Sequence, residues 1–203
     1  MHPRVFPWMV VLVVGIGLGW TMNAMSFQSA TAPVAEAQKP AEGTASESPL
    51  MTLDWLEGSW TGEAGENRIE FDCRFTQNNA FLVRSFRVSQ ATEVRMSGMQ
   101  VVAWDPQRES LRSWTFDSDG GFGEEHWSQT GDRYAIRSKY VLPDGGSGAA
   151  LNAMSYIDTD TFAWKSMHRE IDGELLPDGE PLVFHRVAEG SAEEATTIPG
   201  GTK

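Results

Sequence analysis

Three of the four histidines, one cysteine and one acidic loop are the places in this sequence to look first for chemistry. His126, His168 and His185 stand far apart, and no His-x-x-x-His or similar pair offers zinc a chelate. A single cysteine, Cys73, removes every intramolecular disulfide and every thiolate cage for a metal. Asp117-Ser118-Asp119-Gly120-Gly121, with Glu124 and Glu125 close behind, gathers the clustered oxygens that a hard cation needs. It lacks a third Asp or Asn before the glycine, and its glutamates come too early for a calcium loop. These residues are therefore read as an Asp-Gly hairpin turn. No G-x-S-x-G elbow, phosphate loop or dinucleotide fingerprint is present, and no nucleophile has an evident base. The sequence assigns no catalytic residue, no metal and no cofactor.

Rows that mix apolar and polar residues say more. Leu82, Arg84, Phe86 and Val88 place an arginine in an otherwise apolar row, and Phe162, Trp164, Ser166 and His168 end an apolar row on an imidazole. Asn152 shares a row with Met154 and Tyr156. Turned inward, such rows line an interior in which apolar area supplies affinity and a few polar groups fix orientation, the make-up of a small-molecule pocket. Arg84, Trp114, Asn152, Trp164 and His168 are the candidate ligand-binding residues. Two plainer readings stand beside this one: some rows face solvent, or Arg84 pairs with a buried carboxylate.

These rows need strands to carry them. Between Trp60 and Val187, short segments rich in β-branched and aromatic residues recur about every 12 residues. Asn78-Asn79, Asp105-Pro106, Asp119-Gly120, Gly131-Asp132, Asp144-Gly145, Asp172-Gly173 and Asp178-Gly179 separate them, and such residues tolerate the positive φ of tight hairpins. No long helical pattern intervenes, so the sheet is expected to be antiparallel. The clearest strand runs from Arg68 to Thr76, where Ile69, Phe71, Cys73 and Phe75 alternate with Glu70, Asp72, Arg74 and Thr76. Cys73 falls in the dry row and reads as a small buried hydrophobe rather than a reactive thiol. Arginine outnumbers lysine by 11 to 2 between Met51 and Val187, which suits two-point pairing with carboxylates across strands.

The folded unit opens with Leu53-Asp54-Trp55-Leu56-Glu57-Gly58-Ser59-Trp60-Thr61-Gly62. This W-L-x-G-x-W-x-G run resembles the lipocalin-like, or calycin, barrels, in which a short helical turn closes one end and a glycine followed by a tryptophan starts the first strand. Trp55, Gly58 and Trp60 are accordingly read as structural: Gly58 permits close backbone approach, and Trp60 supplies a large ring for the barrel floor. The later run from Ala103-Trp104-Asp105-Pro106 to Ser113-Trp114-Thr115-Phe116-Asp117-Ser118-Asp119-Gly120-Gly121-Phe122-Gly123 is similar to an uncharacterised bacterial subfamily of these barrels. Its members are often exported, and some lie C-terminal to NTF2-like domains. The resemblance spans about Met51 to Val187 and implies an all-β, antiparallel up-and-down barrel of about eight to ten strands with room for one small ligand. It transfers no catalytic residue. Nitrobindin-like relatives of calycins hold haem at the barrel mouth on one inward histidine, for which His168 and His185 lie late enough in the chain.

Ahead of the barrel, Val5 to Ala35 carries no charged side chain, and Phe6 to Met25 has about the length a helix needs to cross hydrocarbon. Arg4 and the terminal amine precede this run while Glu36, Lys39 and Glu42 follow it, which favours a cytoplasmic N-terminus and an exported remainder. A retained transmembrane anchor and a cleaved signal peptide both fit, with Ala24-Met25-Ser26 a passable cleavage site. Residues 1–26 are read as that anchor or signal helix, 27–50 as a disordered linker, 51–187 as the barrel and 188–203 as a disordered tail. The net charge of −12 repels phosphate backbones, so no nucleic acid is expected as a partner. The expected protein is a barrel of the cell envelope, outside the cytoplasm, tethered to the membrane through its N-terminal segment or secreted, that binds a small apolar or amphiphilic molecule. The alternatives are a small-molecule isomerase or hydrolase using His168 or Arg84, a structural or partner-binding envelope module without ligand, and a haem-binding barrel. Nothing in the sequence names a protein partner.

Overall fold

The computed structural model describes residues 48–188. The apolar run at 6–25, most of the linker and the tail lie outside the described residues. Among the described residues no helix is long and apolar enough to cross a membrane.

Ser48 caps a 3₁₀-helix over Pro49–Leu56, its hydroxyl accepting from the Leu50 N–H at 3.4 Å. Proline at the first helical position costs no hydrogen bond. A 3₁₀-helix repeats every three residues, so Leu50, Leu53 and Leu56 align along one side. All three are at most 1% exposed. Leu50, which composition assigns to the linker, is the first residue of the core.

Eleven strands follow among the described residues: β1 (Gly58–Ala64), β2 (Asn67–Phe75), β3 (Phe81–Gln90), β4 (Glu93–Asp105), β5 (Ser110–Asp117), β6 (Phe122–Thr130), β7 (Arg133–Val141), β8 (Ser147–Asp158), β9 (Thr161–Ile171), β10 (Glu174–Leu176) and β11 (Leu182–Arg186). From β1 to β9 each strand pairs antiparallel with the next, β9 pairs with β11, and β11 pairs back onto β1. Ten strands thus form a closed antiparallel ring, and β10 is a short mate on β9. Closure leaves no long sheet edge to template aggregation. Asn79 (φ 54°) turns β2 into β3 and Asp172 (φ 48°) turns β9 into β10, conformations that Asn and Asp tolerate. Asp178-Gly179 makes no hairpin; it lies in the connection from β10 to β11.

The inward row of β2 is Ile69, Phe71 and Cys73, all buried, as alternation requires. Burial pushes the Cys73 thiol up to about 12, so it stays protonated at neutral pH. Trp60, Phe71, Phe162 and Phe184 meet with ring centroids 4.9–6.4 Å apart. Trp60 closes the floor, its Nε1 donating to the Leu56 carbonyl at 2.9 Å. Arg186, opposite Trp60 in the β1–β11 register, lays its guanidinium 4.4 Å from the indole centroid. It donates to the carbonyls of Trp55 (2.7 Å), Thr159 (2.9 Å) and Glu57. Trp55 packs edge-on against Trp60 and Phe162 at 6.2 and 5.7 Å. Gly58 turns the helix into β1 at φ +118°, and a Cβ there would stand 2.6 Å from Arg186 Nη1, so both conformation and space demand glycine.

Candidate ligand cavity

Above this floor the barrel encloses a cavity of about 880 Å³. One register line crosses its wall: Arg84 on β3 stands opposite Gln100 on β4, Gln100 opposite Thr115 on β5, Thr115 opposite Gly123 on β6, and Gly123 opposite Tyr140 on β7. Directly opposed residues share a face of the sheet, so these side chains are presented together. The glycine makes room for the last of them. A Cβ on Gly123 would lie 2.3 Å from Tyr140 Cδ1, so the phenol ring occupies the space over β6 that a side chain would fill.

Glu125, the next inward residue on β6, is only 2% exposed. Its Oε2 accepts from Gln100 Nε2 at 2.9 Å and from the Ser113 hydroxyl, and its Oε1 accepts from Thr115 Oγ1 at 2.8 Å and Tyr140 OH at 3.4 Å. Trp127 Nε1 donates to Ser113 Oγ at 2.8 Å, which leaves that hydroxyl's proton for the carboxylate. Four donors for two oxygens match the capacity of an ionised carboxylate. Burial, and after it the charge on Glu125, pushes the Tyr140 phenol well above its ordinary range, so the phenol remains a donor.

Arg84 has no such partners. Its guanidinium lies 5.2 Å from the Phe71 ring centroid, its buried Nε has no hydrogen-bond partner, and none of the ion pairs among the described residues includes it. Asn152 Nδ2 donates to Ser138 Oγ at 2.9 Å on the cavity wall. Trp164, Phe86, Phe162 and Phe184 supply apolar lining. Of the five candidate ligand residues, the fold brings Arg84, Asn152 and Trp164 to one cavity.

Trp114 and His168 are corrections. Trp114 faces outward, under the Arg112 guanidinium at 5.1 Å, because the inward row of β5 is Leu111, Ser113 and Thr115. His168 is exposed because β9 carries one extra residue against β8: the pairing steps from Leu151–Met167 to Ala149–Glu170. The bulge puts His168 at φ 47°, and the next residue, Arg169, takes the inward place. His126 and His185 are exposed on their strands as well, so neither histidine offered as a haem ligand lines the cavity. The acidic loop is the β5–β6 turn, with Asp117 Oδ1 accepting from the N–H groups of Asp119 (2.7 Å) and Gly121 (3.2 Å).

The solvent end of the cavity is acidic. Exposed Glu63, Glu66, Asp178 and Glu180 border it. The 177–181 segment is strapped onto the bulge of β9: Gly179 N–H donates to the Ser166 carbonyl (2.7 Å), His168 N–H to Asp178 Oδ1 (3.0 Å) and Arg169 Nη1 to the Pro177 carbonyl (3.2 Å). Sequence reasoning missed the Glu125 network, having assigned Glu125 to the acidic loop. The signal was there, since Gly123, Glu125 and Trp127 alternate with Glu124, His126 and Ser128 at strand period.

Fold and cavity define a closed, ten-strand antiparallel β-barrel with a hollow, partly polar interior. No protein-family model matches the chain, and no curated protein matches it. Among solved structures the chain is similar to that of a protein of unknown function of the DUF3598 family from Nostoc punctiforme, at 11% identity over 70% of this chain and 100% of that one, with a TM-score of 0.18.

Proposed function

We propose that the barrel interior binds a small amphiphilic molecule, and that the chain does so outside the cytoplasm, tethered by its N-terminal apolar segment or released from it. The observation that carries the binding reading is a cavity of about 880 Å³ in which aromatic walls surround a line of polar groups that includes a guanidinium with no ion pair among the described residues. Pockets of about 300–1,000 Å³ with apolar walls and a few converging polar groups are the usual form of small-molecule sites. A helical floor sealed by Trp60 and a run of sequential hairpins support the lipocalin-like assignment. The charge asymmetry around residues 6–25 supports export.

Native mass spectrometry of the purified full-length chain against a panel of lipids and metabolites tests the binding reading. It predicts a saturable one-to-one adduct with at least one amphiphile; a panel that leaves only the unadorned mass overturns it. Alkaline phosphatase fused after Lys203 is expected to be active in cells, and an inactive fusion would refute export.

A further inference from the structure

Resting on the cavity reading, we infer that the ligand carries an anionic headgroup, a carboxylate or phosphate, and that Arg84 is its anchor. Two charged side chains that line the cavity, Arg84 and Glu125, are in opposite conditions. Glu125 has its acceptor capacity filled by Gln100, Ser113, Thr115 and Tyr140, so it has no lone pair left for a cationic or hydroxylic ligand. Gln100, directly opposite Arg84, spends its amide on Glu125 and Thr115 and so does not serve the guanidinium. No backbone carbonyl among the described residues serves it either. Arg84 sits mid-strand, and β3 is paired with β2 and β4 on both sides.

Arg84 lines the cavity without an ion pair among the described residues, and the planar fork of arginine fits two oxygens of a carboxylate or phosphate. The apolar side chains near it, Phe71, Phe86 and Trp164, suit a hydrocarbon or aromatic tail. An amine-headed ligand would meet Arg84 with like charge and find Glu125 already occupied. The acidic border of the solvent end opposes an arriving anion through water, where added salt screens it, while the contact with Arg84 inside is screened less. Association of an anionic probe should therefore quicken as ionic strength rises.

The test is displacement of a fluorescent probe from the full-length chain by decanoate, decyl phosphate, decanol and decylamine. At least one anion should bind about 10- to 100-fold tighter than decanol, the range expected for charge-assisted hydrogen bonds, and decylamine should bind weakest. Which anion wins tells carboxylate from phosphate. Arg84→Met should erase the advantage of the anion over decanol, and Arg84→Lys should keep part of it; Arg84→Gln serves if the methionine variant does not fold. Equal binding of decanol and both anions, tighter binding of decylamine, or an advantage that survives loss of the guanidinium overturns the anchor and leaves the cavity reading standing. Failure of all four probes to bind overturns both.

Discussion

Arg186 and Arg84 each lie over a ring of the same aromatic cluster, at 4.4 Å from Trp60 and 5.2 Å from Phe71, yet they live in different chemical company. Arg186 stands where the 3₁₀-helix and the β8–β9 turn end and leave carbonyls outside any ladder. Its donors take those of Trp55, Glu57 and Thr159. Arg84 stands in mid-barrel, between two paired strands, and its Nε is left without an acceptor. An arginine at the floor is structural because the ends of the helix and of the β8–β9 turn supply acceptors, the Asp160 carboxylate at 3.1 Å among them. The same residue in the wall is available to a ligand because they do not.

Substitution separates the two most strongly in stability. Arg186→Met should lower the unfolding free energy by about 2–3 kcal/mol, since it strips charge-assisted hydrogen bonds from several carbonyls at once. Arg84→Met should change it by less than about 1 kcal/mol or raise it, because an uncompensated cation gives way to an apolar side chain of similar length. Urea denaturation of both variants checks the pair, and equal losses would erase the distinction.

Between the floor and the cavity stands Cys73, opposite Arg84 in the β2–β3 register. Burial raises its thiol to about 12 from an ordinary 9.0, so between those values the folded state holds a proton that the unfolded chain releases. This contribution is fully present below pH 9 and is lost as pH climbs toward 12, at up to about 1.4 kcal/mol per pH unit. Cys73→Ala should flatten the alkaline fall in stability measured by urea titration from pH 8 to 11. An unchanged slope would mean that the thiol does not titrate on unfolding.

The smallest expected effect belongs to His168. Its imidazole is exposed and only its backbone N–H is used, by Asp178. His168→Ala should leave stability within about 0.5 kcal/mol and amphiphile binding unaltered. A loss of binding would bring the imidazole back as a cavity residue.

What could be read beforehand follows from what local chemistry controls. Hairpins marked by Asp, Asn and Gly were legible, whereas the β3–β4 turn places Ala91 at φ 52° with no side-chain signal to announce it. Arg84, Asn152 and Trp164 line the cavity as the alternation of their rows suggested, because each lies outside the register shifts that interrupt β3, β8 and β9. Trp114 was misplaced because β5 inverts the usual rule: small polar Ser113 and Thr115 point inward to serve Glu125, and Trp114 and Phe116 point out. On the outer sheet Phe116 then lies in one register line with the exposed Met99, Phe122 and Val141. His168 was misplaced by a bulge, a property of pairing between strands that no single strand's pattern records.

Trp164 on the cavity wall and Trp114 on the outer sheet provide the most direct test of whether ligand enters the barrel. Bromine-tagged decanoate and decanol quench a nearby indole, and titration of each into the wild type, Trp164→Phe and Trp114→Phe reports which ring they reach. Binding inside the barrel predicts saturable quenching that drops in Trp164→Phe and persists in Trp114→Phe. Quenching that persists without Trp164 and drops without Trp114 would place the molecule on the outer surface and contradict a ligand-binding interior.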